Sequence, residues 1–385
     1  MSTDQIFAFQ APANLTFGPG AAGKIPEIVK GLGGRAVVIS DPGVAAAGIL
    51  DRVRSWLHDA GVATDAFTAV EPNPSVETVT RAYEFVTRAG AEFLVAVGGG
   101  SAMDVAKVAS VLARFGGTVL DYEGIGKVPG PGMTTVAIPT TAGTGSEVTV
   151  FAVITDRART FKLTIGSSHI VPQYAVCDPE LTVSMPPGLT AATGMDALTH
   201  GIECYVNTVY HPIAKTLALD SIKLIGPSLR PAYRTGRDLG ARTAMLLAST
   251  MAAMAFTRTR LGNVHAMSHP LGAHFDVPHG VANAVLLPYV MEWNLPACHQ
   301  TYPSIAAALG EDVAGLSAEQ AATRAVEAVR RLSGDVGIPA RLRDLGVHQD
   351  AIPQMATDAM KSGNVLVNPR TTAYEDIVYL FETAY

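Results

Sequence analysis

Between Arg35 and about Val183 short β-rich runs alternate with amphipathic helical stretches, and this alternation restricts the folds open to the chain more than any other feature. Ala36-Val-Val-Ile-Ser, Phe93 to Val97 and Thr134 to Ile138 read as strands, whereas Leu50 to Ala60 and Val76 to Ala89 read as helices. Strands separated by helices return in the same direction, so the pattern calls for a parallel α/β sheet. After Pro186-Pro187-Gly188 the β-branched runs fade. Ala, Leu and Met at helical spacing take over, as in Ala241 to Met254 and again in Ala321 to Leu332. We place the boundary near residue 185, with an α/β domain over 1–185 and an all-helical domain over 186–385.

A chain of 385 residues, 48% of them hydrophobic, can bury more than one core. Charged residues make up 16%, the net charge is −6, and no block of like charge stands out, which argues against a nucleic-acid partner. The N-terminus has neither the basic flank nor the apolar core of a signal peptide, and no segment reads as an uncharged apolar run long enough to span a bilayer. Cys177, Cys204 and Cys298 lie far apart and in no metal or redox spacing, so reduced thiols are expected. A soluble cytoplasmic protein without a membrane partner is the expectation.

In the first half the strand Phe93 to Val97 runs straight into Gly98-Gly99-Gly100-Ser101, and a helix begins through Met103, Asp104, Ala106 and Lys107. Backbone N–H groups at such a start point outward, and glycines let a pyrophosphate approach them. A second loop, Pro139-Thr140-Thr141-Ala-Gly143-Thr144-Gly145-Ser146-Glu147, follows the next strand. Two such loops at strand C-termini build the crevice in which open α/β sheets bind nucleotides, although neither is a G-x-G-x-x-G fingerprint. Asp41 ends the first strong strand, where a carboxylate accepts from an adenosine ribose and repels a 2′-phosphate. That favours NAD over NADP; the competing reading makes Asp41 a turn or cap residue.

The second half concentrates four of the ten histidines, His265, His269, His274 and His279, in one short stretch. Upstream, Asp196 and His200 stand four positions apart, so on a helix both project from one face. Asp196, His200, His265 and His279 can close around one divalent cation. One carboxylate and three neutral imidazoles neutralise part of its charge and leave a Lewis acid, with Fe(II) and Zn(II) equally suited by ligand type.

Three motifs together resemble the group III, iron-dependent alcohol dehydrogenases: Gly98-Gly-Gly-Ser-Ala-Met-Asp104-Val-Ala-Lys107, Pro139 to Glu147, and Gly194-Met-Asp-Ala-Leu-Thr-His200 followed by His265 to His279. Asn368-Pro369-Arg370 fits as well, and the order and spacing match along nearly the whole chain. The resemblance implies a dehydroquinate-synthase-like architecture: a nucleotide-binding α/β domain, an all-helical domain and an active site in the cleft between them. It implies Fe(II) on Asp196, His200, His265 and His279, with His269 beside the metal as the group that relays a proton toward solvent. Gly98, Gly99, Gly100, Ser101 and Asp104 would surround the pyrophosphate of NAD(H). Thr140, Thr141, Thr144 and Ser146 would line the adenine and nicotinamide path, and Lys162 would reach the cofactor. His274 receives no role. The family commonly forms dimers or larger assemblies, and an edge strand over residues 4–18 would suit pairing across a two-fold axis.

Substrate choice is where this chain departs from the family pattern. Between Phe256 and Leu261, which resemble pocket positions, it reads Thr257-Arg258-Thr259-Arg260 where many relatives carry small or amide residues. A guanidinium forks onto carboxylate, sulfonate or phosphonate oxygens. Arg258 and Arg260, with Asn364 and an apolar wall at Phe151, therefore point to a small aldehyde bearing an anionic group. The competing reading pairs the arginines with glutamates or sets them at a helix end, which leaves a neutral alcohol or diol as substrate. A lyase of the dehydroquinate-synthase type and a non-catalytic sensor are the rivals from other classes.

Overall fold

A computed structural model describes residues 6–9 and 14–385. The chain divides into two compact units, one ending at Met185 and the other beginning at Pro186 and joined by residues 6–9.

Among the described residues of the first unit, nine strands form two sheets: β1 (Asn14–Phe17), β2 (Arg35–Ile39), β3 (Ala63–Phe67), β4 (Phe93–Gly98), β5 (Gly124–Ile125), β6 (Thr135–Pro139), β7 (Phe151–Asp156), β8 (Phe161–Gly166) and β9 (Tyr174–Cys177). Six make a sheet in the order β1-β9-β6-β4-β2-β3, parallel throughout. The inner strands β2, β4 and β6 are apolar on both faces, as a sheet covered by helices requires. Val37, Ile39, Leu94, Ala96 and Ala137 enter one core, and their neighbours Ala36, Val38, Phe93, Val95, Val97, Val136 and Ile138 enter the other. A small second sheet, β5-β8-β7, pairs β7 with β8 antiparallel and was not read from the sequence.

The helix Val76–Ala89 is capped at its start by the Ser75 hydroxyl and closed by Gly90 in the left-handed conformation, so both ends are set by single residues. In the large sheet the order reverses between β2 and β4, since β3 lies outside β2 while β6 and β9 continue beyond β4. At such a reversal helices leave on opposite faces and open a crevice at the strands' C-terminal ends. Asp41 follows β2 there and Gly98 ends β4.

From Pro187 onward the described elements are helical. Three long helices, Pro187–Val206, Pro212–Arg234 and Leu239–Thr259, pack on one another and are joined by Asn263–Phe275, His279–Cys298 and Ala318–Asp335. The helix Leu239–Thr259, of 21 residues and mean hydropathy 1.3 over its most apolar stretch, is long and apolar enough to cross a bilayer. It serves instead as a core helix, largely buried against its neighbours, with Arg242 inside donating to Gly236 O (2.9 Å) and Thr190 Oγ1 (2.8 Å).

The expected edge strand over 4–18 is strand only at Asn14–Phe17, which does lie at the sheet edge. Residues 6–9 are not strand; the rings of Phe7 and Phe9 lie 4.8 and 5.9 Å from that of His211. Residues 4, 5 and 10–13 fall outside the described residues.

Candidate functional site

The two glycine- and threonine-rich loops of the first unit touch each other. Gly98 has φ 152°, and a Cβ there would lie 2.9 Å from Ala102 Cβ and 3.0 Å from Asp41 Oδ2. A Cβ on Gly100 would lie 2.9 Å from the Thr144 side chain. Glycine is therefore needed at both positions, and the helix Gly100–Phe115 starts with its first amides unobstructed by side chains. Thr140 N donates to Gly98 O (3.0 Å), Thr141 faces Gly99, and Ser101 lies half-buried in the first helical turn. Asp41 caps the following short helix through Val44 N (3.0 Å), the competing reading of that residue, while its second carboxylate oxygen faces Gly98.

Two expected cofactor residues are turned inward. Asp104 Oδ1 accepts from Ser146 Oγ (2.6 Å) and Oδ2 from Val153 N (2.9 Å). Lys107 Nζ donates to Ser146 Oγ (2.7 Å), Thr149 Oγ1 (2.9 Å) and Phe151 O (2.9 Å). The Asp104 carboxylate and Ser146 hydroxyl thus tie the two loops together rather than present themselves to a ligand. Burial raises the Asp104 pKa against the opposing pull of Lys107, and burial lowers Lys107 to about 8. Lys162 Nζ donates to Asn73 Oδ1 (2.7 Å). Asn73, at φ 52°, was not singled out in the sequence, where its Pro-Asn-Pro setting reads only as a turn.

In the second unit Asp196 and His200 share a face of Pro187–Val206, His265 comes from Asn263–Phe275, and His279 opens His279–Cys298. Their donor atoms lie within 4.8 Å of one another. The Nε2 atoms of His200, His265 and His279 stand 3.8, 3.7 and 3.8 Å from the single oxygen Asp196 Oδ1. Atoms each 2.0–2.2 Å from a common centre are at most about 4.4 Å apart, so these three separations fit one cation. Asn283 Nδ2 also enters the set, 2.6 Å from Asp196 Oδ1, 3.0 Å from His265 Nε2 and 3.1 Å from His279 Nε2. The amide nitrogen thus stands at the point on which the Asp196 oxygen and the two imidazole nitrogens converge. Burial works against the ionised Asp196, yet the three imidazoles outweigh it and hold the carboxyl well below the ordinary range. Burial likewise disfavours the His265 imidazolium, but Asp196 and Glu203 push that group up to about 9.

Around this set, the Phe256 ring lies 4.5 Å from that of His200 and the half-buried His269 ring 5.6 Å from that of His279. His274 Nε2 meets Asp358 Oδ2 at 2.9 Å, a structural pair. The two arginines part company. Arg258 is half-buried, its guanidinium carbon 5.9 Å from the Phe9 ring centroid. Arg260 is exposed at the C-cap of Leu239–Thr259, its Nη1 against Gly363, and Leu261 N donates to Asn364 Oδ1 (3.4 Å). Arg260 N donates to Phe256 O (2.8 Å) as the last bond of that helix, and Phe256 and Leu261 are buried whereas Arg260 is exposed. Phe151 lies on β7 of the first unit. Sequence reasoning passed over Glu203, Asn283 and Asn368 as individual residues, although Asn368 holds Asn294 and the backbone of Asn263 and Arg370 together.

Two family models cover the chain: "Iron-containing alcohol dehydrogenase" over residues 12–179 and "Fe-containing alcohol dehydrogenase family, C-terminal" over residues 190–385. The chain belongs to the iron-containing alcohol dehydrogenases. It is accordingly an oxidoreductase that interconverts alcohols and aldehydes with NAD(H) and iron. The chain is similar to 1,3-propanediol dehydrogenase of Klebsiella pneumoniae, 41% identical over 384 residues and covering 99% of both chains. A solved 1,3-propanediol oxidoreductase superposes with a TM-score of 0.96 at 41% identity, covering 99% of this chain and 100% of that one. Sulfoacetaldehyde reductase from Bifidobacterium kashiwanohense, solved in complex with NAD+, superposes with a TM-score of 0.88 at 32% identity over 99% of both chains.

Proposed function

We propose that Asp196, His200, His265 and His279 hold the iron, and that the aldehyde this enzyme prefers is small and carries a phosphonate, sulfonate or carboxylate group met by Arg260. The observation that carries the substrate reading is the backbone of Arg260, at φ 65° and ψ −169°. That region belongs almost wholly to glycine and costs of order 1–3 kcal/mol for any other residue. An arginine kept there, exposed beside Phe256, Leu261 and Asn364, is best accounted for by what its guanidinium binds. Sulfoacetaldehyde, the substrate named for a relative at 32% identity, is an aldehyde of this kind.

When bound, the divalent cation supplies a Lewis acid for a carbonyl or alkoxide oxygen. The chain's own groups do the rest. Asp196 contributes one negative charge and the three imidazoles none, which preserves a net positive centre. Phe256 and Leu261 exclude water from it. His269 holds and passes on the proton at an imidazole nitrogen, so no strong base is needed. In the first unit the amides at Gly98, Gly99, Gly100 and Ser101 would take the pyrophosphate, and Thr140, Thr141, Thr144 and Lys162 the path beyond it. Asp41 would receive the ribose hydroxyls, and Asp104 and Ser146 would fix the loops. Phe151 would add an apolar wall, and Asn364 would hold Leu261.

We further propose a cytoplasmic homo-oligomer without nucleic-acid or membrane partners. Its support is the net charge of −6, three buried thiols in no disulfide among the described residues, and the open edge of β1. A second reading, a neutral short-chain alcohol or diol as substrate, is favoured by the 41% identity to 1,3-propanediol dehydrogenase. NADH oxidation by metal-stripped enzyme reloaded anaerobically with Fe(II), given phosphonoacetaldehyde and a neutral aldehyde of equal length, separates the two. Preference for the anionic aldehyde that disappears in Arg260→Met supports the first; equal turnover in the parent enzyme establishes the second.

A further inference from the structure

Glu203 lies two helical turns beyond Asp196 on Pro187–Val206 and is buried. Its two oxygens have different partners: Oε1 accepts from Val264 N (2.6 Å) and Oε2 faces His265 Nδ1 (2.6 Å). On the other side of the same ring, Nε2 points to Asp196 Oδ1 and Asn283 Nδ2. Space for the carboxylate comes from Gly262, where a Cβ would lie 2.9 Å from Glu203 Oε1 and 3.2 Å from Asn368 Oδ1.

We propose that Glu203 is a positioning residue for the metal, one that holds the proton of His265 on Nδ1 and leaves the Nε2 lone pair facing Asp196, His200 and His279. The inference rests on the metal reading given above. Val264 N–H and His265 Nδ1–H are both donors, so their common partner must offer two acceptors. A carboxylate does, and a carboxamide of the same shape offers one. Glutamine at 203 would either turn its oxygen to Val264 and donate to Nδ1, which moves the imidazole proton to Nε2, or turn it to His265 and set an NH2 against the Val264 N–H. Each choice works against ligation by Nε2, and the charge that raises the ligand's basicity is lost as well.

The test compares the parent enzyme with Glu203→Gln. Zn(II) affinity is measured by chelator competition, the visible spectrum is recorded after Co(II) loading, and the zinc-loaded proteins, labelled with 15N-histidine, are examined for a hydrogen-bonded Nδ1–H proton far downfield. The parent should bind one Zn(II) and show that proton. The variant should bind about 10–100-fold more weakly, with an altered Co(II) spectrum and the proton moved upfield or exchanged away. Equal affinity and spectra in the two proteins would overturn the role of Glu203. So would a zinc-loaded parent lacking the downfield proton, a result that does not depend on the variant folding. A parent that binds no Zn(II) or Co(II) would instead remove the metal reading itself.

Discussion

Arg260 is the residue at which backbone and side chain disagree most about what the sequence should be. Its φ and ψ suit glycine, its side chain is exposed, and it occupies the helix C-cap where glycine is ordinarily found. Arg260→Gly should therefore relieve about 1–3 kcal/mol of strain, offset in part by the extra freedom glycine gains when unfolded. Scanning calorimetry should show Tm rising by roughly 2–4 °C for each kcal/mol recovered. The same variant should lose about tenfold to a hundredfold in kcat/KM on an anionic aldehyde, the worth of a hydrogen bond to a charged group, while the neutral aldehyde is little affected. A gain in stability without a loss of anionic preference would leave the arginine a tolerated strain. Much of this chemistry was legible beforehand: Asp196 and His200 at helical spacing, with His265 and His279 downstream, form the cluster now seen. Sequence spacing treats Arg258 and Arg260 alike, whereas the structure half-buries Arg258 beside Phe9 and leaves Arg260 exposed at the helix end.

At the scale of elements, the ends of helices carry information that periodicity lacks. The helix Pro187–Val206 has no basic residue in its last turn, and Lys215 of the next helix supplies the missing cation. Its Nζ donates to Cys204 O (2.9 Å), Asn207 O (2.6 Å) and Asn207 Oδ1 (3.0 Å). Burial lowers its pKa to about 8, below the 10.5 of an exposed lysine. Below pH 8 both states hold the proton. Between about 8 and 10.5 the unfolded chain holds it and the folded chain releases it, so this group's contribution to stability rises with pH across that window. Measured by denaturant unfolding at several pH values, the difference between the parent and Lys215→Met should shift in the parent's favour from pH 8 to 10; a flat difference would show that the ammonium is not desolvated. No such cap was read from the sequence, since Lys215 meets its carbonyls only after the chain has turned between two helices. Strands β2, β4 and β6 and the helices over 50–60 and 76–89 were legible because each is a continuous apolar run or repeats along its own length. The β5-β8-β7 sheet was not, its pairing being set by partners distant in sequence.

For the molecule as a whole, the division of labour has a direct physical consequence. The glycine and threonine loops belong to the first unit, and the Asp196, His200, His265 and His279 cluster belongs entirely to the second. A ligand that binds the folded state alone stabilises it by RT ln(1 + [L]/Kd), about 2.7 kcal/mol at a hundredfold excess over Kd. Local opening is suppressed first where the ligand's contacts lie. Hydrogen exchange should therefore separate the cofactors. NAD(H) added to metal-stripped protein should slow exchange at the start of Gly100–Phe115 and over the loop 140–146. Zn(II) added without nucleotide should slow it in Pro187–Val206, Asn263–Phe275 and the first turns of His279–Cys298. The expected patterns share no segment. Protection of the first unit's loops by metal alone would mean that the metal site draws ligands from outside the four residues, and protection of the three helices by nucleotide alone would mean that the cofactor orders the donor set before the metal arrives.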